Sequence, residues 1–219
     1  TLTKEAQTAA NQLYDARGVS GKHLSSNIEY ELRSLGINHP KFEVRQIQIP
    51  DNRGLLKGKE GQPVSTDEYG TATVTFFIST NKGEEVKPLA KIASGGEVSR
   101  VMLSIKRTMA SDQTLPVMIF DEIDTGISGK VSEKVGQAIR SLSRQCQIIA
   151  ITHQAQIASQ ADHHLYVEKS DSDTRTTTKI RTLDADERVQ ELASLMSGSK
   201  ITSHALETAR QMLNASAST

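Results

Sequence analysis

Apolar and polar positions follow two different patterns along this chain, and the change comes near residue 96. Residues 3–35 place apolar side chains at the three- and four-residue spacing of a helix, and the segment GINHP ends that pattern. Runs 41–49 and 70–80 are rich in β-branched and aromatic residues and are separated by a polar segment with several Gly residues. This order predicts one N-terminal helix followed by an antiparallel β element.

Beyond residue 96 the patterns of helix and strand alternate. Predicted helices cover 96–110, 129–144, 154–160, 184–197 and 201–214. Predicted strands cover 116–122, 147–152 and 164–169, the last paired with 176–183. Strands that are apolar throughout and alternate with helices are typical of a parallel sheet with helices on both faces. The sequence therefore predicts an α/β fold with a mainly parallel sheet covered by helices.

The composition limits the kinds of partner that the chain is expected to bind. The chain has 26 basic and 26 acidic residues among 219, so its overall charge gives no footprint for DNA binding over the whole surface. A single cysteine, Cys146, excludes an internal disulfide. No apolar run approaches the roughly 18 residues of a membrane span. We therefore expect a cytoplasmic protein without a membrane partner.

Two adjacent carboxylates carry the strongest local signal. Asp121 and Glu122 follow the apolar run Val117–Phe120, at the strand end where open α/β sheets bind their ligands. In nucleotide hydrolases such an Asp helps to hold Mg²⁺, and the neighbouring carboxylate orients or deprotonates the attacking water. The alternative is a strand that ends in solvent with two surface acids, and this pair alone leaves both interpretations open.

Two further stretches favour a nucleotide. His153 follows the apolar strand 147–152, so it is predicted at the same sheet edge as the carboxylates, although a lone His is more often bound to backbone. Ser94, Gly95 and Gly96 precede a helix whose N-terminus favours anions. An ordinary N-cap, with Glu97 completing a capping box, is the competing interpretation.

The order of these stretches resembles the signature motif, Walker B strand and switch histidine of ABC-type ATPases. The resemblance extends to the C-terminal part of the RecN family, SMC-related proteins of bacterial double-strand-break repair and recombination. It is carried by KPLAKIASGGEVSRVMLSIKR, IFDEIDTGISGKV, ITHQAQIASQADHHLYVEK and RVQELASLMSG. It covers residues 40–214 closely. Two positions depart from related ATPases: Ala93 replaces a frequent Leu, and GISG replaces the SMC-like Ala-Leu-Asp.

This resemblance implies a role for each motif residue. Glu122 would be the catalytic base, Asp121 would support Mg²⁺ through water, and His153 would sense the γ-phosphate of ATP. Asp124 would lie in the D-loop at a dimer interface. The signature residues would contact ATP held by a second head in an ATP-bound homodimer; they are Ser94, Gly95, Gly96 and Glu97.

A phosphate-gripping P-loop is missing from the sequence. GLLKGKE (54–60) and GVSGKH (18–23) both fail the required G-x-x-x-x-G-K-[ST] spacing. The resemblance places the P-loop in an N-terminal lobe of the same protein, beyond a coiled coil. We therefore expect residues 1–38 to be a helical arm ending that coiled coil and 39–219 to be the C-terminal head lobe, inactive as an isolated chain.

Two other functions remain open at this stage. One is a head fragment of another SMC- or ABC-type ATPase, including a transporter ATPase, although Glu97 replaces the Gln usual in transporter signatures. The other is a non-enzymatic DNA-binding module, which the neutral charge disfavours. For the RecN-like alternative, DNA is a partner of the full-length protein.

Overall fold

The chain forms two compact units, Thr1–Thr108 and Met109–Thr219. The computed structural model describes residues 2–92, 94–109, 117–172, 175–198 and 200–217. Ala93, the predicted helix end at residue 110 and the predicted strand start at Pro116 lie outside these ranges. The sequence predicts a boundary at residue 38 between a coiled-coil arm and the head lobe. The two compact units do not test that boundary, so it stays a prediction.

In the first unit a long helix lies on an antiparallel sheet. Helix α1 (Leu2–Ser34) is followed by β1 (Lys41–Ile47), β4 (Thr73–Ser79) and β5 (Lys87–Pro88) in the sheet order β1-β4-β5. The register of β1 and β4 runs from Lys41↔Ser79 to Ile47↔Thr73. The antiparallel element predicted from the alternating runs is confirmed.

Helix α1 runs unbroken through GVSG, where its apolar stripe weakens. Gly21 lies against β1 in this part of the helix, and a Cβ there would stand 3.1 Å from Val44 Cβ. The polar segment after β1 also returns to the helix. It contains the short hairpin of β2 (Leu56–Lys57) and β3 (Pro63–Val64), and Gln7 on α1 bonds both backbone groups of Lys57.

Helix α2 (Gly95–Thr108) completes the first unit by packing on α1. Arg107 of α2 forms an ion pair with Glu31 of α1, and Arg100 is buried. Burial lowers the pKa of Arg100, and the charge of Glu97 opposes that shift. Both arginines therefore take part in the packing of α2 instead of lying on a solvated helix face.

The second unit contains the predicted parallel pair. Strands β6 (Val117–Phe120) and β7 (Gln147–Ala150) pair in parallel, with Val117↔Gln147 and Phe120↔Ala150 at the ends of the register. Helix α3 (Lys130–Ser143) connects them and packs on β7. This is the strand–helix–strand crossover that the sequence predicts.

The rest of the second unit is a hairpin and a helical cluster. Its elements are α4 (Ala155–Ala158), β8 (Leu165–Ser172), β9 (Arg175–Thr182), α5 (Ala185–Ser197) and α6 (Ser203–Ala217). Asp184 and Glu187 form a reciprocal capping box at the start of α5. Small residues let the helices approach closely; the core residues are Ala155, Ala158, Leu192, Ala193, Ala205 and Ala209. None of the helices among the described residues is both long and apolar enough to cross a bilayer.

The parallel pair is buried on one face only. Phe120 is buried and Ile148 half-buried, whereas alternate apolar side chains on the opposite face are exposed. We call this opposite side the open sheet face; it consists of Val117, Ile119, Ile149 and Ile151, with Ile119 67% exposed. Burial on both faces was predicted for these strands. It is found on the face of Phe120 and Ile148, because the described helices cover that face and leave the other exposed.

Two helical glycines are predicted to respond oppositely to alanine. A Cβ on Gly136 in α3 would stand 2.8 Å from the backbone oxygen of Gln156, so Gly136→Ala should cost roughly 1–3 kcal/mol of stability through overpacking. A Cβ on Gly18 in α1 would meet Gln46 Nε2 at an ordinary 3.7 Å. Gly18→Ala should stabilise by roughly 0.5–1 kcal/mol through helix propensity. Urea unfolding of both variants measures this, and shifts of the same sign would contradict the packing described.

Candidate functional site

The two carboxylates lie at the carboxyl end of β6, as the sequence predicts. Asp121 and Glu122 follow the buried Phe120, and both are exposed. Glu122 has φ of 57°, and it is the one non-glycine residue in the described ranges with a positive φ. Such a conformation costs roughly 1–3 kcal/mol and is concentrated at functional sites, where surrounding structure enforces it. The positive φ makes Glu122 a candidate for a functional residue.

Asp124, two residues after Glu122, is buried and forms hydrogen bonds within the second unit. Its Oδ2 accepts hydrogen bonds from Thr152 Oγ1 at 2.5 Å and from the His153 backbone N at 2.8 Å, and it lies 3.1 Å from His153 Nδ1. The Asp124 side chain is 3% exposed. Oδ2 of Asp124 is thus bonded within the unit, and the predicted place of Asp124 in the D-loop at a dimer interface stays a prediction.

His153 lies at the same end of the parallel pair as the carboxylates. Its side chain is 70% exposed, and its Nδ1 faces Asp124. Its Nε2 lies 3.3 Å from Gln154 Nε2, which also donates a weak hydrogen bond to the Ile127 carbonyl. The pairing of β6 with β7 thus brings Glu122, Asp124 and His153 to one sheet edge.

The sequence signal missed the part played by Thr152. Its hydroxyl donates to Asp124 and accepts from the backbone N of Gln154, so it fixes the turn that carries His153. The available signal was its place after the apolar strand, directly before the histidine. A hydroxyl residue at that place can satisfy a buried carboxylate on the neighbouring strand.

The signature residues belong to the first unit. Ser94 and Gly95 are exposed, Gly96 is buried, and Ser94 Oγ accepts from Glu97 N at 3.4 Å. The carboxylate of Glu97 accepts a hydrogen bond of 3.0 Å from Thr80, just after β4. Glu97 therefore anchors the start of α2 to the sheet, while the exposed Ser94 and Gly95 leave the helix N-terminus open to an anion.

The chemistry of the carboxylate edge fits a magnesium ion that is bound jointly by the protein and by the phosphates of a nucleotide. Within the described ranges no group of three or more His, Cys, Asp or Glu side chains is placed to hold a metal. Mg²⁺ commonly takes one or two protein carboxylates and completes its shell with waters and substrate phosphates. Asp121 suits that arrangement and does not suit a site built from protein ligands alone.

A second feature of this unit is a cavity of about 510 Å³ lined by residues of α3, α5 and α6. Two of its arginines serve the turn after α4: Arg140 donates to the Gln160 carbonyl and Arg188 to the Ala161 carbonyl. Nearby His164 is half-buried; burial, and then the charge of Arg188, lower its pKa. The two arginines stabilise the turn through these bonds.

The chain is similar in sequence to known proteins over nearly its whole length. The chain is 38% identical over 217 residues to the DNA repair protein RecN of Bacillus subtilis, covering 97% of the chain. It is 38% identical over 211 residues to RecN of Haemophilus influenzae, covering 96%. The chain is a relative of RecN. It spans 37% and 36% of those two proteins.

A comparison with solved structures shows a likeness of fold. A crystal structure of the Smc head domain with a coiled coil and joint from Pyrococcus yayanosii superposes with a TM-score of 0.52. The match covers 84% of the chain and 30% of that protein at 18% identity, which is a likeness of fold. No protein-family model matches the chain. The RecN-like chain thus has the mixed α/β fold of an SMC-type head.

Releasing the strain at Glu122 is predicted to stabilise the chain. Glu122→Gly should raise the free energy of unfolding by about 1 kcal/mol, because glycine adopts positive φ without a Cβ clash. Glu122→Gln keeps the Cβ and should leave stability nearly unchanged. Glu133→Gly, at an exposed position inside α3, should instead cost about 1 kcal/mol. Denaturant unfolding of the three variants checks this, and a loss of stability in Glu122→Gly would contradict the strain.

Proposed function

We propose that the chain is the C-terminal lobe of an ATPase head in a RecN-type DNA repair protein, contributing the hydrolytic half of an ATP site. The observation that supports this most is the parallel pairing of β6 and β7, which brings Asp121, Glu122 and His153 to one sheet edge in a chain similar to RecN over 97% of its length. The ATP, the DNA and the cytoplasmic location belong to the full-length protein.

Each residue at the edge has a distinct task under this proposal. Glu122 accepts a proton from, or orients, the water that attacks the γ-phosphate. His153 offers Nε2 to the same region. Asp121 would hold magnesium through water, and the bound ion would neutralise charge on the phosphates. Exposure of all three side chains suits a site completed by other surfaces.

The signature residues serve a different nucleotide in this proposal. Ser94 and Gly95 stand exposed at the start of α2, where backbone N–H groups and the helix dipole favour an anion. They would meet the γ-phosphate of ATP held by the second head of a homodimer. Glu97 would hold the start of α2 in place through its hydrogen bond with Thr80.

The open sheet face is the surface we assign to the N-terminal lobe. Four branched apolar side chains on adjacent parallel strands stand exposed there, and such strands are normally covered on both faces. A lobe that carries the P-loop and packs on this face would bring the phosphates to the edge where Asp121 and Glu122 lie. This packing would also explain why both strands are apolar throughout.

Hydrolysis should require both lobes and Glu122. The isolated chain should show no ATPase activity above background, and the full-length protein should hydrolyse ATP. In the full-length protein Glu122→Gln should lower kcat roughly 100-fold or more while ATP binding persists, because only the proton acceptor is lost. Glu133→Gln, an exposed carboxylate on α3, is the matched control and should keep wild-type activity. Strong ATPase activity of the isolated chain would overturn the proposal.

Assembly of the lobes should depend on the open sheet face. Ile119→Lys should leave the isolated chain folded, because the position is 67% exposed, and should weaken its binding to the separately produced N-terminal lobe at least about tenfold. Leu55→Lys, at an 85% exposed position in the first unit, is the control and should bind normally. Calorimetric titration gives both affinities. Equal binding by the two variants would show that the lobe docks elsewhere.

A further inference from the structure

The two loops that carry the candidate site begin where β6 and β7 end. The backbone bonding of the pair reaches Ile151 N, which donates to Phe120 O at 2.9 Å. The loop after β6 then runs to the start of α3, and the loop after β7 runs to the start of α4. Glu122 stands on the first loop and His153 on the second. The spacing of their side chains therefore depends on how the two loops are joined.

Side-chain hydrogen bonds join the loops. Asp124 Oδ2 accepts from the Thr152 hydroxyl at 2.5 Å and from the backbone N of His153 at 2.8 Å. We call these two bonds the loop clasp. Gln154 Nε2 adds a longer bond of 3.4 Å to the Ile127 carbonyl. The clasp thus connects segments that are far apart in sequence, just beyond the end of the paired strands.

The loop clasp acts on the backbone of Glu122 because Asp124 belongs to the same turn. Thr125 N donates to the Glu122 carbonyl at 3.0 Å, and Ile127 N donates to the Asp124 carbonyl at 3.3 Å. Glu122 begins the first of these two overlapping turns, and Asp124 lies inside it. A bond that fixes Asp124 therefore also limits the movement of Glu122, whose positive φ requires support from its surroundings.

On the other loop the clasp acts directly on the backbone of the histidine. The His153 amide is itself one donor, and the other donor, Thr152, is the residue before it. Thr152 Oγ1 also accepts from Gln154 N at 3.0 Å, so one hydroxyl bonds both loops. Asp124 is 3% exposed, and hydrogen bonds to a buried carboxylate are stronger than the same bonds in water.

We propose that the loop clasp makes Asp124 and Thr152 positioning residues, which hold the general base and the histidine of the site at a fixed spacing around one phosphate. That base is Glu122 and that histidine is His153, so this inference rests on the proposed function. Neither positioning residue needs to touch the nucleotide. Catalytic groups must be held near their productive geometry, and a displacement of about 1 Å can cost roughly 100-fold in rate.

Removing the Thr152 hydroxyl tests the positioning role. In the full-length protein Thr152→Val should lower kcat for ATP about tenfold with less than about a twofold change in KM, because spacing is lost while nucleotide binding persists. Thr152→Ser keeps the hydroxyl and should restore most of the activity. Thr208→Val, which removes a hydroxyl bonded to the His204 carbonyl on α6, is the matched control and should be fully active.

A double-mutant cycle tests whether the two residues act as one unit. Asp124→Ala removes the acceptor of both bonds and should lower kcat further than Thr152→Val does. In the Asp124→Ala background, Thr152→Val should change kcat less than about twofold, because the bond that it removes is already absent. Effects that multiply would contradict the clasp. If circular dichroism shows that Asp124→Ala is unfolded, the comparison of Thr152→Val with Thr152→Ser decides the proposal.

Hydrogen exchange of the chain without nucleotide tests the clasp apart from any ATPase activity. The His153 amide should be protected in the wild type and in Thr208→Val, and it should exchange at least about tenfold faster in folded Asp124→Ala. A wild-type His153 amide that exchanges like an unprotected peptide would overturn the clasp.

The kinetic outcomes distinguish the clasp from the function on which it rests. Wild-type kcat in Thr152→Val, together with an inactive Glu122→Gln variant, would overturn the positioning role and leave the proposed function standing. Full ATPase activity in Glu122→Gln would overturn the proposed function and leave the exchange result standing.

Discussion

A single buried carboxylate oxygen holds the two strand ends of the candidate site together. Asp124 follows β6, its partners Thr152 and His153 follow β7, and the bonds between them join two segments that lie 28 and 29 residues apart in sequence. A buried carboxylate without such donors would be strongly unfavourable. Because Oδ2 accepts hydrogen bonds from the Thr152 hydroxyl and the His153 backbone N, the edge can keep Asp121, Glu122 and His153 exposed on a fixed frame.

The strained backbone of Glu122 depends on that frame. A glutamate with φ of 57° persists only where neighbouring structure enforces it. Phe120, buried before it, and Asp124, buried after it, hold the chain on both sides of the turn. The hydrogen bonds of Asp124 thus make the turn rigid, and the exposed part of the turn presents the Glu122 carboxylate.

Local pattern predicted most elements, since the helices of the second unit and the parallel strands depend on apolar periodicity that is visible in the letters. The direction of Asp124 was not predictable, because the same DEIDTG stretch fits an aspartate that points outward or inward, and the choice depends on Thr152 across the sheet. The open sheet face was missed for a related reason. An apolar strand looks the same whether its second face is covered by the same chain or by another lobe.

Under the proposed function, the edge that carries Asp121, Glu122 and His153 acts on a nucleotide that another lobe binds. The most direct test is a structure of the full-length protein with a non-hydrolysable ATP analogue and Mg²⁺. We expect the γ-phosphate beside Glu122 and His153, the N-terminal lobe on the open sheet face, and Ser94 of a second copy at the same phosphate. A nucleotide bound away from the carboxyl ends of β6 and β7 would contradict it.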